Sequence, residues 1–202
     1  MHRAFIGSLA CALLGGCGDP SSDAPGRVEV EPRIETAPGD RLSEQFDEVC
    51  FSTDERGRWD VVLFRAREHP DDAWKSMEQC VHLRMFWRPI PGVTHAESSQ
   101  TDAIIVYMLA DAPTAISYEG AGFVFLKLDR SGQTARGTIE SSFLAPTRRT
   151  GDAADVLGRC RLKGEFTARR DAARVTEILT TLHGRLGPRP VKQYEAPAND
   201  PR

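Results

Sequence analysis

From Trp59 to Phe166 this chain repeats one pattern: runs of alternating apolar and polar residues, separated by turn residues. Successive side chains of a strand point to opposite faces, so alternation at period two demands a sheet with one buried face. The clearest case is Asp129-Arg130-Ser131-Gly132, a tight hairpin turn between Gly122–Leu128 and a return strand. That return strand places Ala135, Gly137, Ile139, Ser141 and Phe143 inward, with Arg136, Thr138 and Glu140 outward. Cys160, Leu162, Gly164 and Phe166 form a second inward set against Arg161, Lys163 and Glu165. Residues 80 to 87 alternate in the same way, and Trp59–Ala66 is rich in β-branched and aromatic residues. Ala103–Leu109 is continuously apolar, as a strand buried on both faces is. Glu48–Ser52 reads as a first short strand.

Behind the last strand the period changes. Asp171 is placed to cap a helix whose Val175, Ile178, Leu179, Leu182 and Leu186 fall on one stripe, and Gly187-Pro188 ends it. A shorter helix is expected from His69-Pro70 to Gln79. The fold class predicted is α+β: a mainly antiparallel sheet of six or seven strands covered by the C-terminal amphipathic helix. The alternative is a β-sandwich with that helix appended. Ala110–Gly120 is expected to be a loop, as are residues 88 to 101 and 146 to 158.

The N-terminus has a different character. His2 and Arg3 precede a charge-free apolar run from Ala4 to Leu14, about 11 residues, against the ~20 needed to span a membrane. Leu14-Gly15-Gly16-Cys17 closes it with small residues, as a cleavage site requires. This segment resembles the signal of bacterial lipoproteins, whose lipobox reads Leu-small-small-Cys. The resemblance covers these residues alone. It implies removal of residues 1–16, a diacylglyceryl group on the Cys17 thiol, and acylation of the new amine. Gly18 rather than Asp after the cysteine favours the outer membrane facing the periplasm; the inner membrane and the cell surface are the alternatives. Residues 17–44, with Pro20, Pro25, Pro32 and Pro38 among acidic and small residues, are expected to form a flexible, lipid-anchored tether. Residues 45–187 then make one globular domain, and 188–202 a disordered tail.

Charge narrows the partners. The formal net charge is −3, and losing Arg3 makes it −4. With no basic block, nucleic acid is not an expected partner; the membrane, through the lipid, and an envelope protein are. Histidines 69, 82, 95 and 183 lack metal-ligand spacing, and no phosphate loop or nucleophile elbow occurs, so neither metal nor cofactor is expected. Gly120-Ala121-Gly122 opens a strand rather than a helix, which suits close backbone packing or a bulge, not a dinucleotide. In an oxidising envelope, Cys50, Cys80 and Cys160 suggest one disulfide and one thiol, with Cys50–Cys160 the favoured pairing, Cys80–Cys160 next, and three buried thiols as the remaining reading. Tyr118 and Glu119, set beside the 88–101 loop, are candidate ligand contacts, although Tyr118 serves equally as a plug for the core. The function expected is a membrane-anchored envelope lipoprotein acting as a non-catalytic interaction or assembly module. The alternative is an extracytoplasmic enzyme or ligand-binding protein with its site in loops 88–101 and 110–120. The distinguishing feature is a concave site with converging buried ionisable groups, against an open sheet edge or exposed apolar patch.

Overall fold

The structure, a computed structural model, describes residues 24–32, 42–66, 77–85 and 103–187. The expected signal, the 69–79 helix apart from its last residues, the 88–101 loop and the C-terminal tail lie outside these. The described chain is α+β, as its periods require. It comprises β1 (Gly26–Pro32), β2 (Leu42–Phe46), β3 (Glu48–Thr53), β4 (Trp59–Arg65), β5 (Glu78–Met85), β6 (Ala103–Asp111), β7 (Thr114–Leu128), β8 (Thr134–Thr150), β9 (Cys160–Arg170) and α1 (Ala172–Leu186). The sheet has nine strands rather than six or seven, in the order β2-β1-β9-β3-β4-β5-β6-β7-β8, with β9 also paired to β8.

That last pairing closes the sheet. One edge of β9 binds β8; its other edge binds β1 along Cys160–Phe166 and, in parallel, β3 at Arg169–Arg170. Since β3 leads through β4, β5, β6 and β7 back to β8, the strands form a ring. β2 and β3 are interrupted only at Asp47, so they act as two halves of one stave. The result is an up-and-down antiparallel barrel of eight staves, not a sandwich. At that strand number the interior is just wide enough for side chains to fill.

Two expectations are corrected by this pairing. The region expected to be a tether contributes β1 and β2. Val28 and Val30 are fully buried, and β1 is hydrogen-bonded on both edges. Val28-Glu29-Val30-Glu31 alternates as a strand does, and Pro32 ends it. Second, Ala110–Gly120 is not a loop: β6 and β7 turn tightly at Ala112-Pro113, and β7 runs on for 15 residues. β8 likewise continues to Thr150.

The interior holds Val49, Phe51, Trp59, Val61, Leu63, Val81, Leu83, Met85, Ile105, Leu109, Val124, Ile139, Leu162 and Phe166, all from the inward series of their strands. Each large aliphatic or aromatic side chain so buried stabilises the fold by roughly 1.5–3 kcal/mol. The inward set expected on β8 holds only as far as Ile139. There the pairing with β9 slips, Ser142 and Leu144 turn inward, and Phe143 is left 56% exposed beneath the Arg161 guanidinium. Ser142 repairs the slip, accepting from the Leu162 N–H and donating to the Leu162 carbonyl. Gly120 sits where the barrel wall is tightest: a Cβ there would lie 1.8 Å from the Phe143 carbonyl oxygen. The Asp129–Gly132 turn forms as expected, with Gly132 at φ 73°.

Helix α1 packs on the outside of the barrel. Val175, Ile178, Leu182 and Leu186 cover Cys50, Val62, Cys80, Val106, Met108, Ala110 and Ala115 from the outward faces of β3 to β7. This is why Ala103–Leu109 is apolar at every position: its inward side chains fill the barrel and its outward ones meet the helix. Asp171 caps α1 by accepting from the Arg174 N–H at 2.9 Å.

Candidate functional site

Continue the inward series of β2, β4 and β5 toward the end of the barrel where β1, β4, β6 and β8 terminate, and polar side chains enter it. On β4, Trp59, Val61 and Leu63 are followed two residues later by Arg65. On β2, Glu44 stands between Leu42 and Phe46. On β5, Gln79 precedes Val81. Arg65 and Gln79 are direct cross-strand partners. All three are buried: Arg65 is 5% exposed, Glu44 6% and Gln79 0%.

Glu44 and Arg65 form an ion pair, Nη1 to Oε2 at 2.5 Å. Beside them the Tyr107 hydroxyl donates to Gln79 Oε1 at 2.6 Å. Tyr107 lies opposite Tyr118 in the pairing of β6 with β7, ring centroids 6.5 Å apart. The Tyr118 hydroxyl in turn donates to Asp155 Oδ1 at 2.9 Å and accepts from the Leu157 N–H. Burial raises the Tyr107 phenol well above its ordinary value; Glu44 adds to the rise and Arg65 opposes it. Tyr118 is raised too, first by burial and then by its bond to Asp155. Both phenols therefore stay neutral donors.

One group in this cluster is under-used. The Nε and Nη2 atoms of Arg65 are buried and have no hydrogen-bond acceptor among the described residues. A buried donor left unmade costs on the order of 1–3 kcal/mol, more when the group is charged. On the outer wall Arg148 leaves the same two nitrogens without a hydrogen bond, its Nη2 standing 3.4 Å from Glu119; among the described residues Arg65 is the arginine whose idle edge faces the barrel interior.

The expected site residues fare differently. Tyr118 and Glu119 are not on a loop tip. Tyr118 is fully buried in the polar cluster, closer to the plug foreseen for it than to a surface contact. Glu119 points to the outer face, 3.4 Å from Arg148. The structure separates the two side chains because adjacent strand residues face opposite ways. Cys50 and Cys160 are not joined; all three described cysteines are buried free thiols. Cys50 lies under α1 outside the barrel, level with Arg169, whereas Cys160 lies inside it nine positions down β9, roughly 30 Å away at strand rise. That far exceeds the ~7 Å a disulfide spans. Cys80 is on the outer layer too, across the barrel wall from Cys160, and the second pairing is likewise not formed. Burial pushes the Cys50 and Cys160 thiols up to about 12, so neither is a ready nucleophile.

A second polar group lies on the outer wall. His82, 4% exposed, shares a 2.8 Å hydrogen bond between its Nε2 and Asp60 Oδ1, and Arg84 Nε reaches the same oxygen at 3.3 Å. The His183 ring of α1 is 6.4 Å away. Desolvation raises Asp60, but the bonds and charges of His82 and Arg84 together hold its carboxyl below the usual range. The group ties β4, β5 and α1 together and presents no nucleophile. Among the described residues, no group of three or more His, Cys, Asp or Glu side chains is arranged to hold a metal ion.

No family model, curated protein or solved structure matches this chain. The site therefore rests on its own geometry. Sequence reasoning missed Arg65, Glu44 and Asp155. Period two on β4 could have flagged Arg65, since it is the residue that breaks an otherwise apolar inward series.

Proposed function

We propose that this chain is an exported, lipid-anchored envelope protein whose barrel binds a small ligand at the polar end of its interior, without catalysis. The observation that carries the binding reading is the buried Arg65 edge, Nε and Nη2, which has no acceptor among the described residues. The remaining interior is filled by large side chains, which suits a small ligand rather than a long acyl chain. The anchor is supported by Leu14-Gly15-Gly16-Cys17 behind a short apolar run. An interaction module working through an open edge or apolar face has less support. The sheet closes, and Phe143 is the sole exposed large hydrophobic residue among those described.

Native mass spectrometry of the full lipidated chain extracted from membranes tests the reading. A small-molecule adduct should accompany the wild type and be absent from the Glu44→Leu/Arg65→Met double variant, which removes both charges together. Absence of any adduct in the wild type, or its persistence in the double variant, overturns the binding site. Cys17→Ser should separately abolish fatty-acid labelling; labelling that survives the substitution overturns the anchor.

A further inference from the structure

The molecule contains its own standard of comparison for the idle edge of Arg65. Arg174 on α1 uses the same two nitrogens on Glu48 of β3: Nε to Oε1 at 2.7 Å and Nη2 to Oε2 at 2.8 Å. The Nε–Nη2 edge is a planar fork suited to two parallel acceptor lone pairs. Arg65 is 5% exposed and stands opposite Gln79 in the pairing of β4 with β5; its Nε and Nη2 are buried without a partner among the described residues, and only Nη1 meets a protein carboxylate.

Charge decides what the fork accepts. The ionic groups bearing on Tyr107 at this end are Glu44 and Arg65, equal and opposite. Asp155, held by Tyr118 and the Gly158 N–H, adds a further carboxylate on the loop side. An anion on Arg65 would place excess negative charge in a low-dielectric interior already neutralised by Glu44. A neutral oxygen satisfies the same donors and brings no charge. Resting on the ligand-binding reading, we infer that Arg65 recognises a small neutral molecule through an amide- or urea-type carbonyl oxygen, with Glu44 acting as the built-in counter-ion that excludes carboxylates.

The test follows the Arg65 Nε–H resonance in the full lipidated chain in micelles, assigned by its loss in the Glu44→Leu/Arg65→Met variant, with acetamide and acetate as probes. Acetamide should shift that resonance saturably at millimolar concentration, and acetate should bind at least tenfold more weakly. Glu44→Gln, which keeps the side-chain shape and removes the counter-charge, should reverse the preference. Acetate binding as well as or better than acetamide in the wild type overturns the neutral-carbonyl assignment and leaves the binding reading standing. An unchanged preference in Glu44→Gln overturns the role given to Glu44. If neither probe shifts the resonance, the ligand site itself fails. Should Glu44→Gln not fold, the contrast of the two probes on the wild type still decides the ligand class.

Discussion

Two arginine–glutamate pairs stand on opposite faces of the barrel wall, one outside and one inside, and they differ in what surrounds them. At the seam between helix and barrel, Arg174–Glu48 is bidentate and about one-third exposed on both sides, and Arg185 reaches Glu78 in similar fashion. Solvent screens these pairs, and each guanidinium meets its carboxylate through two nitrogens, so they act as clamps around an apolar layer. Inside the barrel, Glu44–Arg65 is screened by almost nothing and leaves one edge idle. Exposed pairs contribute little because solvation competes with them; buried pairs contribute little net, yet breaking one is costly. The seam is thus built from apolar contact with polar margins. The polar end is built from charge that must stay balanced.

The largest expected effect breaks that balance. Glu44→Ala should cost about 3–5 kcal/mol in chemical denaturation, because it leaves Arg65 charged and buried. The double variant Glu44→Leu/Arg65→Met should recover most of that loss. If Glu44→Ala costs no more than a surface substitution, the pair is not held as described.

Next comes the apolar layer. Leu182→Ala should cost about 2–5 kcal/mol by cavity formation beneath α1. Since Cys50 and Cys80 lie in that layer and Cys160 lies inside the barrel, loosening the helix should expose the first two to iodoacetamide ahead of the third. Equal rates for all three thiols would mean that helix and barrel open as one unit.

A smaller effect concerns Asp60. Its carboxyl is depressed in the folded state, so it stabilises above its unfolded value of about 3.9, and this contribution is lost as pH falls through the folded value below that. Asp60→Asn should flatten the acid limb of the stability profile between about pH 5 and 2. An unaltered limb would show that other carboxylates set it.

The smallest effect is expected at the clamp. Glu48→Gln should cost no more than about 1 kcal/mol, and less in high salt. A loss as large as that of Glu44→Ala would erase the distinction between the two pairs.

Much of this architecture is written in short-range pattern. The alternation of β9 placed Cys160, Leu162, Gly164 and Phe166 inward, and the Asp129–Gly132 turn, the Asp171 cap and the apolar stripe of α1 all form where local chemistry puts them. These features depend on neighbours within a few residues. Other features depend on pairing across the chain. Val28 and Val30 alternate over too short a run to identify a strand until β9 and β2 supply its hydrogen-bond partners. The slip after Ile139 depends on the facing strand, and it reverses every later inward assignment on β8.

The candidate site shows the same division. Arg65 inward is a consequence of period two on β4, determined by the sequence itself. Its meeting with Glu44 is not, because it depends on the register that sets β3 against β4 while β2 runs on from β3 as the same stave. Cys50 and Cys160 make the converse point. Composition alone made their pairing reasonable, and the barrel wall puts them on opposite sides of the sheet. The sequence determined which residues seek burial and at what period. Only the closed tertiary structure decided which of them meet, because ring closure is a long-range constraint that no local window contains.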